Sequence, residues 1–121
     1  ASRKGDLVSS RSYCPKRGDV VWLSFIPQAG HEQEGRRPAL TLSPEGYNSK
    51  VGLGIFCPIT SQVKGYPFEV ALPEGQKVSG VVLADQIKSL DWAARNAEFC
   101  CRVSKEAVTE VLEKLGVLLG A

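Results

Sequence analysis

Only one stretch of this chain repeats its apolar residues at helical spacing, and it lies at the C-terminal end. Val108, Val111, Leu112, Leu115, Leu118 and Leu119 follow at i, i+3, i+4, i+7, i+10 and i+11, one stripe of an amphipathic helix. Ser104 is placed to cap that helix and Gly120 to stop it. Upstream, Gly and Pro break the apolar residues into short runs, too short for helices but right for strands. Short strands closed by one terminal helix predict a mainly β fold, a small barrel with a C-terminal α-helix.

Residues 19–25 (DVVWLSF) are β-branched and aromatic, and residues 38–43 (PALTLS) alternate as a half-buried strand does. Residues 53–60 (LGIFCPIT) predict a strand in which Pro58 calls for an edge or a bulge. Further strands are expected over 66–72, 80–84 and 97–103, and Tyr47-Asn48 suits a turn or short helical hook. Residues 1–12 are polar and serine-rich, which predicts a disordered leader before a single domain over 13–121. A chain of 121 residues with 43% hydrophobic content can bury one core, though a small one that oligomerisation would help to cover.

Fifteen Lys and Arg against 13 Asp and Glu leave a formal charge of +2, too mild for a general nucleic-acid binder, although a local basic surface could still hold RNA. The four cysteines (Cys14, Cys57, Cys100, Cys101) show no CxxC spacing, and His31 is the one histidine, so no zinc or other metal site is expected. There is no secretory apolar region and no run of membrane-spanning length, so a cytoplasmic protein with reduced thiols is expected.

The chemistry gathers in Gly30-His31-Glu32-Gln33-Glu34-Gly35-Arg36-Arg37-Pro38, a glycine-bracketed loop holding an imidazole, two carboxylates and two guanidiniums. Cutting RNA without a metal needs a base for the 2′-hydroxyl, an acid for the departing 5′-oxygen and donors for the charged phosphorus centre. Glu32 and His31 can act as the base, and Arg37 offers a planar fork matched to phosphate oxygens. Thr60 and Ser61, at a strand end, can add hydroxyl donors. Tyr47, Tyr66, Phe68 and Trp92 could stack on unpaired bases, and Lys50, Lys64 and Lys88 could line a phosphate track. Each also has an ordinary reading: a solvated histidine, loop carboxylates paired with Arg36 and Arg37, turn-forming hydroxyls, core aromatics.

The motifs GDVVWL (18–23), GHEQEGRRPAL (30–40), LSPEGYN (42–48), CPITSQ (57–62), KGYPFEV (64–70) and GVVLADQIKSLDW (80–92), in this order, resemble the MazF/PemK (Kid) family of toxin endoribonucleases of type II toxin-antitoxin systems. The resemblance spans nearly everything from Tyr13 onward. It implies an SH3-like barrel of the CcdB/PemK type, assembled as a homodimer. It also implies metal-independent, ribosome-independent, sequence-specific cleavage of single-stranded RNA, an mRNA interferase activity leaving a 2′,3′-cyclic phosphate and a 5′-hydroxyl. No cofactor is implied, and the expected partner is a cognate MazE-like antitoxin with an acidic C-terminal tail.

By resemblance Arg37 and Thr60 are the catalytic pair, with Glu32 and His31 assisting proton transfer. Gln33, Arg36, Ser61, Gln62, Lys64, Asp85, Gln86 and Lys88 are the expected RNA contacts. The PemK/Kid branch pairs the aspartate matching Asp85 with an arginine two residues earlier. Here that position is Leu83, so Asp85 is expected to orient loops rather than to carry chemistry. Two other functions fit the same fold: a non-catalytic gyrase inhibitor resembling CcdB, and an inactive RNA-binding scaffold.

Overall fold

Runs apolar on both strand faces need cover on both sides, and this sheet has it. The computed structural model describes residues 13–25 and 35–121. The leader expected over 1–12 lies outside them. In chain order come β1 (Asp19–Ser24), β2 (Arg36–Thr41), helix α1 (Glu45–Val51), β3 (Gly54–Thr60), β4 (Glu69–Ala71) and β5 (Val81–Leu83). A 3₁₀ turn (Ala84–Gln86), β6 (Lys88–Leu90), β7 (Glu98–Arg102) and α2 (Lys105–Leu119) complete the order.

The strands form one antiparallel sheet in the order β4-β5-β3-β2-β1-β7, with β6 also paired to β3. β4 and β7 end the hydrogen-bonded path. α2 follows β7 in the chain and packs against β4 and the 3₁₀ turn, bridging the two ends into a barrel-like fold.

The period of two sorts the side chains. Val20, Leu40, Cys57 and Ile59 join the larger core under α2, with Val70, Val82, Ala107, Val108, Val111 and Leu115. Their strand neighbours Val21, Leu23, Ala39 and Phe56 face the other way and pack with Leu90, Trp92 and Phe25. Each fully buried Val, Leu or Phe contributes roughly 1.5–3 kcal/mol. Buried Asn48 ties α1 into this frame: its amide donates to Pro15 O and Ser43 O, its Oδ1 accepts from Ser43 Oγ, and its carbonyl accepts from Trp92 Nε1.

Four expectations change in detail. The strand expected over 66–72 shrinks to Glu69–Ala71, because Pro67 has no N–H and Glu69 N turns back to Tyr66 O. β6 is an unforeseen strand, with two exposed polar residues and only Leu90 buried, so it shows almost no alternation. Pro58 sits in a central strand instead of at an edge. It falls in the gap where β3 changes partner, from β6 at Phe56 to β5 at Ile59. The helical stripe also outruns its cover: Leu112 (41%), Leu118 (48%) and Leu119 (74%) are exposed. Among the described residues no helix is long and apolar enough to cross a membrane.

Candidate active site

β2 and β3 pair only from Thr41↔Phe56 to Ala39↔Pro58 and then part, because β3 turns to join β5. Pro38 and Pro58, neither of which can donate to a ladder, stand at the parting. Between the separated strands opens a groove of about 650 Å³, walled by Arg37, Pro38, Pro58, Ile59, Thr60 and Ser61 and flanked by Trp22 and Phe25. Carrying the β2–β3 register on by two residues sets Arg37 across from Thr60.

Arg37 is exposed, and among the described residues its guanidinium has no hydrogen-bond or ion-pair partner. Thr60 Oγ1 accepts from Gln62 N at 3.1 Å, which fixes the hydroxyl and leaves its proton to donate elsewhere. Gly80 packs so closely behind Thr60 that an added Cβ would lie 2.0 Å from Thr60 O. Its φ of +115° also favours glycine. The loop before β5 thereby seats against the Thr60–Ser61 backbone and contributes Val78 and Ser79 to the groove.

A side pocket of about 320 Å³ branches from the groove and shares Thr60, Gln62, Leu83 and Gln86 with it; Lys64, Tyr66 and Glu69 close it. The Tyr66 hydroxyl donates to Asp85 Oδ2. This bond, first, and some desolvation hold the phenol above its ordinary pKa, because both favour its protonated form. Asp85 Oδ1 is buried with no hydrogen-bond partner among the described residues.

Gln62 and Gln86 line both cavities, Lys64 the side pocket alone, and Ser61 and Lys88 the groove alone. Lys88 Nζ also stands 5.8 Å from the Phe25 ring centroid, within cation–π range. Asp85 lies behind the site and reaches it through Tyr66.

Arg36 does not match the expectation of an RNA contact. Its guanidinium is turned into the scaffold, donating to Ser24 Oγ, Arg95 O, Trp22 O and Asn96 O and pairing with Glu98 at 2.7 Å. The reason is the strand period, which sends neighbouring side chains to opposite faces. His31, Glu32 and Gln33 lie outside the described residues. The ends of that segment meet beside the groove, where Phe25 N donates to Gly35 O at 3.0 Å.

Of the four candidate stacking aromatics, Tyr66 alone lines either cavity. Trp92 packs in the core and Tyr47 lies on an apolar groove beside α2. Trp22 and Phe25 at the groove were missed as site residues. The β-branched and aromatic composition of residues 19–25 marked a strand but not which residue would reach a cleft.

Burial, and then the nearby Asp85 charge, push Cys57 up to about 12, and burial first also raises Cys14 and Cys101. Among the described residues no three His, Cys, Asp or Glu side chains gather to hold a metal ion.

Residues 16–119 match the PemK-like, MazF-like toxin of type II toxin-antitoxin system family. The Escherichia coli endoribonuclease toxin MazF is 48% identical over 108 residues, 89% of this chain and 96% of that protein. Crystalline MazF from Deinococcus radiodurans superimposes with a TM-score of 0.82 at 57% identity, covering 91% of this chain and 100% of that one. MazF in the MazE–MazF complex from the same organism gives 0.82 at 50% identity, over 91% and 100%.

Proposed function

This chain belongs to the PemK-like, MazF-like toxin family of type II toxin-antitoxin systems and is an endoribonuclease toxin, and on that premise we propose how it cuts and what it meets. The substrate is single-stranded RNA, cleaved at a short sequence without the ribosome and without a metal ion. The observation that carries this reading is the Arg37 guanidinium, without a partner among the described residues, standing in a groove across from the Thr60 hydroxyl.

In the reaction the ribose 2′-oxygen attacks the adjacent phosphorus and the P–O5′ bond breaks, giving a 2′,3′-cyclic phosphate and a 5′-hydroxyl. Arg37 grips the non-bridging oxygens with two parallel N–H donors and Thr60 donates a third hydrogen bond, so charge gathering on the phosphoryl oxygens meets donors already in place. Glu32 and His31 divide the proton work: one takes the 2′-hydroxyl proton as the bond to phosphorus forms, and the other returns a proton to O5′ as it leaves. Ser61, Gln62, Lys64, Gln86 and Lys88 hold the strand along the groove and side pocket, and Gln33 completes the contacts. Arg36 anchors β2 instead of touching RNA.

The 48%-identical relative is named an endoribonuclease, which sets this reading above a gyrase inhibitor on the same fold. The solved MazE–MazF complexes support a cognate MazE-like antitoxin whose acidic tail competes for the basic groove. The toxin acts in the cytoplasm as a homodimer.

The test is purified protein incubated with a long single-stranded RNA in EDTA, with cut sites mapped by primer extension. Defined cuts with 5′-hydroxyl ends are expected from the wild type. Arg37→Ala should lose about 2–4 kcal/mol of transition-state stabilisation, roughly 30- to 900-fold in rate, with an unchanged melting curve. Undiminished cutting by Arg37→Ala would remove the mechanism.

A further inference from the structure

We propose that Tyr66 and Asp85 are positioning residues for the cleavage reaction: the hydrogen bond between them shapes the side pocket into a seat for one nucleobase beside the cut. The inference rests on the endoribonuclease reading and concerns which RNA sequence is accepted.

The side pocket is the right size and chemistry for one base. At about 320 Å³ it lies at the small end of the range for ligand sites, roughly 300–1,000 Å³. Leu83 gives it an apolar wall, Tyr66 an aromatic one, and Gln62 and Gln86 bring amides that can both donate to and accept from a base edge. Because it shares Thr60 with the main groove, a base seated there belongs to a nucleotide next to the phosphate held by Arg37.

The wall carrying Tyr66 needs holding. Residues 61–67 are all exposed and form no helix or strand. The Glu69 carboxylate accepts from Lys64 N and Gly65 N, Tyr66 O accepts from Glu69 N, and Lys114 Nζ reaches over from α2 to Pro67 O. These ties fix the loop backbone, but none fixes the Tyr66 ring. That falls to its hydroxyl on Asp85 and to an edge-to-face contact with Phe68 at 6.1 Å. Asp85 depends on the pair in turn. With Oδ1 buried and unpartnered among the described residues, the phenol supplies its one side-chain hydrogen bond there. Removing either partner frees the ring, and losing the phenol leaves the half-buried Asp85 carboxylate without its match.

The experiment uses the full chain as wild type, Tyr66→Phe, Asp85→Ala, Asp85→Asn and the Tyr66→Phe/Asp85→Ala double variant. Primer extension finds the cut site, and short oligoribonucleotides varied one position at a time then give kcat and KM. Tyr66→Phe and Asp85→Ala should each lower discrimination among the four bases by about tenfold at one and the same position beside the cut. The loss should fall on KM more than on kcat.

The double variant should be no worse than either single one. Asp85→Asn keeps an oxygen that accepts from the phenol and should discriminate nearly as the wild type does. Unchanged discrimination at every position, a loss spread evenly over all positions, or additive losses in the double variant would overturn the proposal. Tyr66→Phe removes a single oxygen and decides the matter alone if thermal melts show the alanine variants unfolded. A wild type that cuts no RNA defeats the endoribonuclease reading instead, a result distinct from all of these.

Discussion

Arg36 and Arg37 are the same side chain one position apart, yet one braces the scaffold and the other faces the groove. Residue type alone could not separate them, since both carry the fork that phosphate recognition uses. The register of β2 against β1 and β3 does, and register is a tertiary property. Arg36→Met keeps the stem and removes the bonds to Ser24, Trp22, Arg95, Asn96 and Glu98. Urea unfolding should show a loss of about 3 kcal/mol or more, because the carbonyls left behind are partly buried. Thr60→Val keeps the shape and deletes the donor, so melting should be unchanged while kcat falls about a hundredfold on the preferred RNA. The motif resemblance had already pointed to Arg37 and Thr60. Arg36, expected among the RNA contacts, turns its guanidinium into the scaffold instead.

At the level of elements, strands with strong β-branched runs were legible and weak ones were not. Residues 19–25 and 53–60 hold β1 and β3 because Val, Ile, Phe and Leu must be covered on both faces. β6 escaped because Lys88 and Ser89 are exposed and its pairing to β3, rather than its composition, makes it a strand. The groove was equally hidden: it exists because two paired strands separate, and no run of residues announces a gap. Gly80 shows how closely the elements around it fit. Gly80→Ala should push on the Thr60 carbonyl and lower cleavage at least tenfold, whereas Gly75→Ala, with open space around it, should change activity little; parallel rate measurements separate the two. Both carry a positive φ, so a loss of stability common to the pair reports the backbone cost alone.

For the molecule as a whole, the buried Cys57 thiol and the half-buried Tyr13 phenol set an alkaline limit. Cys57 is raised from 9.0 to about 12, and Tyr13, half-buried and hydrogen-bonded to Asp19, is raised as well. A raised pKa means that the folded state favours the protonated form. That stability is fully present below the ordinary thiol value and is lost as pH climbs from about 9 toward 12. Thermal melts should therefore hold steady from neutral pH to about 9 and fall above it, and Cys57→Ala should flatten the decline. A 13.1 kDa chain should sediment at twice its mass if the homodimer forms, which sedimentation equilibrium decides.

The back-to-back arginines carry a warning for anyone comparing or engineering such chains. Adding or deleting one amino acid inside β2 would rotate both guanidiniums by half a turn, so Arg36 would reach into the cleft and Arg37 into the frame. Mass, charge and composition would scarcely change. On the proposed mechanism, a relative bearing the same two arginines out of phase would pass every tally of sequence and still be inert.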